Sequence, residues 1–469
     1  MFSKFAARNG DIELFKLCLD HEFNKEEVLV ESISSSYQRI VNLQIGRGTN
    51  PDVPKSSQNE SDFPWEIGVF DAHCHPTDTM ASIADIPRMK ATTLTVMSTR
   101  GDDQDLVLQT AINLTKEFTG AENASSARIL PCFGWHPWFS HQIIDDTATK
   151  SETEEGSRPP AEVKKSHYTK VLKPTPDDDF ISSLSDPKPL SQLLSETRSR
   201  LLNFPNALVG EVGLDRAFRL PQPWTQQEID DRDGQMTPGS REGRRLSPHQ
   251  VRPEHQKAIL EAQLRLAGEL QRPVSVHSVQ AHGAVMDVFK TLWLGHERKV
   301  ASRRERKRRD SHSDAHVGSD AEDVGGGQDQ PENNKATSKT SNSSSTSNGE
   351  RGTDPSPFPP RICMHSYSGP AETLRQFLHP SNPSDVYFSF SSVINFSHHS
   401  DKSVAVIKAL PDDRVLVESD LHIAGQEMDD RLEEVARQIC EIRGWSLRQG
   451  VKQLADNWWR FVFGDTDRP

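Results

Sequence analysis

Six side chains of metal-ligand type close apolar segments of this chain. His73 and His75 end Val69-Phe70-Asp71-Ala72-His73-Cys74-His75-Pro76, and Glu211 lies in Val209-Gly210-Glu211-Val212-Gly213-Leu214-Asp215. His277 closes Pro273-Val274-Ser275-Val276-His277, His365 closes Ile362-Cys363-Met364-His365, and Asp420 closes Val415-Leu416-Val417-Glu418-Ser419-Asp420. On a strand, side chains alternate with period two, so His73 and His75 share a face while Cys74 is turned away to pack behind it. Two imidazoles at a fixed separation make half a site for a transition metal. A lone His-x-His is more often an incidental surface or core pair. Five strand endings that together offer four imidazoles and two carboxylates point instead to one metal-dependent active site.

The elements that must position these groups are eight short apolar runs: Ile67 to Asp71, Thr92 to Ser98, Ile129 to Gly134, Ala207 to Val212, Pro273 to His277, Arg361 to His365, Val386 to Phe390 and Val415 to Asp420. Near-continuous apolar strands separated by helical segments imply a parallel sheet covered on both faces, and eight of them predict closure into a (β/α)8 TIM-type barrel. Apolar spacing of three and four predicts helices over Lys257 to Leu270, Ala281 to Leu292, Ala371 to Leu378 and Met428 to Arg443. In such a barrel the C-terminal strand ends converge on one face, where active sites of this fold lie.

The 469 residues admit two or three domains or one large barrel carrying insertions. The expected division is an N-terminal helical and flexible extension over 1–62 and a barrel over 63–469. Insertions are expected at about 140–180 and 220–253, both read as long loops, and at about 297–357, read as disordered. Residues Ala6 to Leu17 have an amphipathic pattern like one helix of an ankyrin repeat, but a single repeat cannot bury its own face and no second copy follows. The third insertion opens with Arg303-Arg304-Glu305-Arg306-Lys307-Arg308-Arg309 and passes into Gly, Ser, Asn and Thr, too polar to form a core. Its basic run reads as a nuclear-localisation signal, as a solvated charge run, or as a phosphate-attracting segment on the face where strand-to-helix loops emerge.

A formal net charge of −13 argues against a broad basic surface coating nucleic acid, so any grip on phosphate must be local. Five scattered cysteines (Cys18, Cys74, Cys132, Cys363, Cys440) form no disulfide framework and no Cys-x-x-Cys zinc pattern, which fits a reducing compartment. Met1 to Asn9 lack the apolar core of a signal peptide, and no run of about 18 apolar residues occurs. The expectation is a soluble protein of the cytoplasm, the nucleus or both.

From about Trp65 to Gly464 the chain resembles the TatD-type metal-dependent deoxyribonucleases of the amidohydrolase-like barrel superfamily. The resemblance rests on Asp71-Ala72-His73-Cys74-His75, Gly134-Trp135-His136-Pro137, Gly210-Glu211-Val212-Gly213-Leu214-Asp215, His277-Ser278, His365-Ser366-Tyr367-Ser368-Gly369, Glu418-Ser419-Asp420 and Asn457-Trp458-Trp459-Arg460-Phe461-Val462-Phe463-Gly464. The long loops further resemble the fungal branch, one of whose members is known as an interactor of an anaphase-promoting-complex subunit. The pattern departs in two places: Leu421-His422 follow Asp420 where the family has a small residue and proline, and Val279 stands where the family has an arginine after His-Ser.

The resemblance implies hydrolysis of DNA phosphodiester bonds by a water activated between two divalent ions, Mg²⁺ or Mn²⁺, with Zn²⁺ tolerated by the mixed donor set. It places His73, His75, Glu211 and Asp420 around one ion and Glu211, His277 and His365 around the other, with Glu211 bridging. Asp420 is then also the base that takes the water proton, and His136 contacts the phosphate unless it is a turn residue packed under Trp135 and Trp138. The implied partners are DNA and a protein such as an anaphase-promoting-complex subunit, with no membrane and a monomeric chain. A second class stays open beside this one, a barrel scaffold acting through its loops, as does hydrolysis of another ester or an amide.

Overall fold

Gly68, at φ +98°, ends a short 3-10 turn over Trp65–Ile67 by donating its N–H to the Trp65 carbonyl at 3.0 Å. The chain therefore enters its first strand at Phe70, three residues later than apolarity alone predicts, because a left-handed glycine stops the turn there. A computed structural model describes residues 63–118, 128–147, 159–300, 355–397 and 400–465. The expected N-terminal extension, 1–62, lies outside the described residues. Among the described residues no helix is long and apolar enough to cross a membrane.

Eight parallel strands pair in chain order: β1 (Phe70–Cys74), β2 (Thr93–Met97), β3 (Ile129–Phe133), β4 (Leu208–Asp215), β5 (Val274–Val279), β6 (Arg361–Met364), β7 (Asp385–Phe390) and β8 (Val415–Val417). Each of the eight expected runs contributes one of them. The seam between β8 and β1 is bridged just beyond the strands, where Asp420 donates its N–H to the His73 carbonyl (3.0 Å) and His75 donates to the Leu421 carbonyl (2.8 Å). This is the parallel barrel that the strand pattern predicts.

The surrounding layer includes α1 (Gln104–Phe118), α2 (Pro160–Val171), α3 (Leu190–Asn203), α4 (Pro253–Glu269), α5 (His282–Trp293), α6 (Ser400–Ala409), α7 (Gln426–Arg443) and α8 (Leu447–Phe463). Outward strand residues such as Val96, Val209, Val276 and Phe388 join helix residues such as Leu264, Phe289 and Leu432 in the main core. Inside the barrel, Phe70, Leu130, Cys132, Leu208 and Leu416 meet Trp458 and Phe461 of α8. Trp458 stacks on Phe70 (4.4 Å, 17°), Asn457 bonds the Val415 carbonyl, and Arg361 bonds the Phe461 carbonyl. All three partners start strands, so α8 stoppers the end of the barrel opposite the histidines.

Both earlier insertions are folded, contrary to their expectation as long loops. Within 140–180, α2 buries Tyr168 and Val171 against Leu172, Phe180 and Ile181, and this small core is completed by Leu220 and Val251 of the next insertion. Leu172 pairs antiparallel with Val251. Neither segment carries enough apolar residues to order alone, and their mutual burial is invisible to a local reading. Residues 148–158 lie outside the described part.

The third insertion is shorter than expected, since its two ends belong to the barrel. Arg298 bonds the Pro383 carbonyl and pairs with Asp385, and Ser356 accepts from Gln271 at 2.8 Å. It also joins α5 to β6, a helix-to-strand connection, so its described ends sit by strand beginnings such as Asp385. The expectation that it emerges on the active-site face is therefore wrong. Residues 301–354, including the basic run, lie outside the described part.

Candidate metal centre

His73, His75, His365 and Asp420 stand at or just past a strand end, while His277 lies two residues before the end of β5 and Glu211 lies midway along the longer β4, whose pairing with β5 runs on to Asp215. Asp71 welds the seam below them. One carboxylate oxygen accepts the N–H groups of His73 (3.0 Å) and Ser419 (3.1 Å), and the other accepts the Ser419 hydroxyl (2.5 Å). Burial pushes the Asp71 carboxyl up to about 7. The bonds to Ser419 fix the chain two residues before His73 on one side of the seam and one residue before Asp420 on the other.

The first group of donors is tight. His73 Nε2 and His75 Nε2 lie 3.1 Å apart, and Glu211 Oε2 is 3.4 Å from the former and 3.3 Å from the latter. Asp420 Oδ1 stands 3.8 and 3.6 Å from the same two nitrogens and is buried without a hydrogen-bond partner. His73 Nδ1 is held by Ser275 Oγ at 2.8 Å, which turns Nε2 to the cluster.

The second group meets the other oxygen of the same carboxylate. Glu211 Oε1 is 2.8 Å from His277 Nδ1, 2.8 Å from His365 Nε2 and 3.1 Å from His136 Nε2. Asp215 Oδ2 accepts from Trp138 Nε1 at 2.6 Å and lies 3.2 Å from His277 Nε2, so a proton on Nε2 leaves Nδ1 as a lone pair aimed at Glu211. His136 Nδ1 accepts the Trp138 N–H at 3.1 Å, which puts the neutral ring's proton on Nε2. His136 is thus oriented as a donor at the cluster edge.

Charge completes the description. Burial opposes ionisation of Glu211, yet the imidazoles of His136, His365 and His73 hold its carboxyl well below the usual range. Burial likewise opposes a charged His365 or His75, but Glu211 outweighs it, taking His365 well up and His75 up to about 9. His73 goes the other way, to about 3, through burial and the neighbouring His365. Burial raises Asp420 to about 6. Positive charge is favoured at the centre of the cluster, and the ligand atoms of His73, His75 and Glu211, and of His136, Glu211 and His277, lie within 4.8 Å of one another. Buried imidazole lone pairs facing shared carboxylates, with one carboxylate oxygen lacking a donor, fit a divalent cation.

Residues 70–462 match the model of the TatD-related DNase family. The chain belongs to that family. It is 33% identical over 390 residues to the Cut9-interacting protein scn1 of Schizosaccharomyces pombe, an alignment covering 83% of this chain and 97% of the relative. It is 24% identical over 412 residues to an uncharacterized deoxyribonuclease of Saccharomyces cerevisiae, covering 84% and 99%. Among solved structures, the TatD homologue YJJV of Escherichia coli matches at 16% identity and a TM-score of 0.43 over 84% of this chain and 97% of that one.

All six expected ligands of this TatD-family chain are brought together, with His136 beside them and Cys74 outside, its thiol near the Thr95 carbonyl at 3.5 Å. Four positioning groups escaped assignment. Asp71 and Asp215 stood inside quoted motifs, and Ser275 shares a strand face with His277 by period two, so each had a local signal. Glu418 is fully buried, accepts the Ser366 N–H at 2.9 Å and the hydroxyls of Ser366 and Ser389, and lies 3.7 Å from His365 Nδ1. At the first departure from the family pattern, His422 stacks on His75 (5.2 Å, 18°) and pairs with Asp78 at 2.7 Å. At the second, Val279 ends β5 beside Asp215, its carbonyl accepting the Arg216 N–H.

Proposed function

We propose that this TatD-family hydrolase cleaves DNA phosphodiester bonds. The observation that carries the reading is Glu211, whose two oxygens face two separate donor groups, His73 with His75 and Asp420 on one side and His277 with His365 on the other. His73, His75, Glu211 and Asp420 would hold one divalent ion and Glu211, His277 and His365 a second. Mg²⁺ or Mn²⁺ bound there would supply Lewis acidity toward the phosphodiester and lower the pKa of a neighbouring water.

The protein groups do the rest. Asp420 Oδ1, buried and without a donor, accepts the proton of the attacking water. The water oxygen bonds to phosphorus as the bond to the leaving sugar oxygen breaks, and the proton passes from Asp420 to that oxygen or to solvent. His136 donates from Nε2 to a non-bridging phosphate oxygen, the contact its tautomer prepares. Trp138, stacked on Phe218 at 4.7 Å and 10°, flanks the same mouth.

Purified protein stripped by chelation is expected to regain cleavage of single- or double-stranded DNA on addition of Mg²⁺ or Mn²⁺. Restoration by Zn²⁺ alone would refute the choice of ions, and wild-type turnover in Asp420→Asn would refute Asp420 as ligand and base. The name of the fission-yeast relative, Cut9-interacting protein, supports a second role, binding of a Cut9-like protein. That role is tested by co-purification of that partner with the wild-type and D420N proteins.

A further inference from the structure

The insertion between β4 and α4 supplies none of the six metal-ligand candidates, yet it is built over them. Its ends are tied together by the Leu220 N–H to His249 carbonyl bond and the Ser247 N–H to Leu220 carbonyl bond. Its tip is pinned to the barrel mouth. Thr237 bonds the carbonyls of Asp78 and Thr77, and the buried Arg100 donates to the Pro238 and Thr237 carbonyls while pairing with Asp78 and Asp103. Gly239, at φ +97°, lies so close to Arg100 and Asp102 that a Cβ would come within 2.9 Å of the former's Cδ. The result is a pocket open to solvent, with Glu211 and His277 on its floor and Met236, Arg241 and Glu242 in its roof.

Glu242 is the unexplained group in that roof. Its Oε2 accepts from Arg232 Nε at 2.5 Å, its side chain is only 4% exposed, and its Oε1 is buried with no hydrogen-bond partner. A buried carboxylate oxygen without a donor is unfavourable, and because Glu242 lines the pocket, a ligand there can bring the donor once the side chain turns Oε1 toward it. Phosphate cannot, because like charges repel. We propose that Glu242 Oε1 is a nucleoside-recognition site, accepting a hydrogen bond from an N–H or O–H group of the sugar–base unit next to the phosphate at the metal centre. This deepens, and rests on, the reading of the protein as a DNA phosphodiesterase.

Calorimetric binding of thymidine 5′-monophosphate, its 3′-deoxy analogue and inorganic phosphate to the Mn²⁺-loaded full chain tests it. Glu242→Ala is expected to weaken the nucleotide at least about tenfold, the low end for a hydrogen bond to a charged group, and not to weaken phosphate, whose repulsion by the carboxylate it removes. Glu242→Gln, of equal volume, should lose less. Arg232→Ala removes the partner of Glu242 and keeps the acceptor, so it should keep the nucleotide-to-phosphate ratio. Equal wild-type affinity for the two nucleotides assigns the donor to the base, and a weaker 3′-deoxy analogue assigns it to the sugar hydroxyl. Glu242→Ala changing both affinities alike or neither, or Arg232→Ala reproducing its loss, overturns the proposal. DNA hydrolysis by wild type with no nucleotide effect in Glu242→Ala would sink the subsite alone. Nucleotide discrimination by a wild type that cleaves no DNA would sink the phosphodiesterase reading alone.

Discussion

Replacing Asp215 by Asn tests how the second half of the centre is oriented. Asp215 Oδ1 accepts the N–H groups of Ala217 (2.7 Å) and Phe218 (2.9 Å), so an asparagine keeps its carbonyl oxygen on that side and presents its NH₂ to Trp138 Nε1 and His277 Nε2. Donor then faces donor. The imidazole of His277 relieves this by moving its proton to Nδ1, the atom 2.8 Å from Glu211 Oε1 that a cation would need as a lone pair. Changes of this kind, one bond beyond the ligand, cost roughly 10- to 100-fold in metal affinity or activity. Titration calorimetry with Mn²⁺ is expected to show the loss confined to one binding event, because the His73 and His75 group has its own support in Ser275 and does not touch Asp215. Two binding events of wild-type affinity in Asp215→Asn would refute the tautomer argument, and equal loss of both would refute the division into two groups.

Glu211→Gln keeps volume but turns one shared oxygen into a donor, so hydrolysis should fall by more than the roughly hundredfold of an outer-shell change while the circular dichroism spectrum stays native. His141 and His167 are buried against carbonyls, with burial taking them down to about 3 and about 4. The unfolded chain binds protons there below about pH 6.5 and the folded chain does not, so their stabilisation is complete above that pH and fades as pH falls. Each should remove about 2 kcal/mol of unfolding free energy between pH 7 and pH 5, and His167→Gln, followed by denaturant titration, should flatten the slope by one proton. Deleting residues 301–354, while keeping Arg298 and Ser356, should leave DNA hydrolysis and its salt dependence unchanged, since loop closure changes only slowly with length and the ends lie away from the mouth. If Arg303 to Arg309 is a localisation signal, the deletion lowers the nuclear fraction in cells; collapse of hydrolysis at every salt concentration in a folded variant would place the segment in the active site.

The convergence of the candidate ligands is legible in the sequence because each placement depends on a short-range rule. An apolar run makes a strand, period two sets the face, and the fold brings all C-terminal strand ends to one mouth. Glu418 and Asp71 are visible inside motifs, but Asp71 acts through a closure with Ser419, 348 positions away, and Glu418 through Ser366 and Ser389, 52 and 29 positions away. Ser275 supports His73 across 202 positions. Which tautomer each histidine adopts is likewise set by such partners and not by neighbours in the chain. The insertions show the limit most plainly: Leu172 and Val251 each sit in polar surroundings that predict a loop, and the second insertion orders through contacts such as their pairing, distant in sequence. Once ordered, that insertion is clamped by Arg100 and carries Glu242 over the candidate metal centre. Burial is a property of two surfaces in contact, so the polar segment that roofs this site could be recognised only after the chain had folded around it.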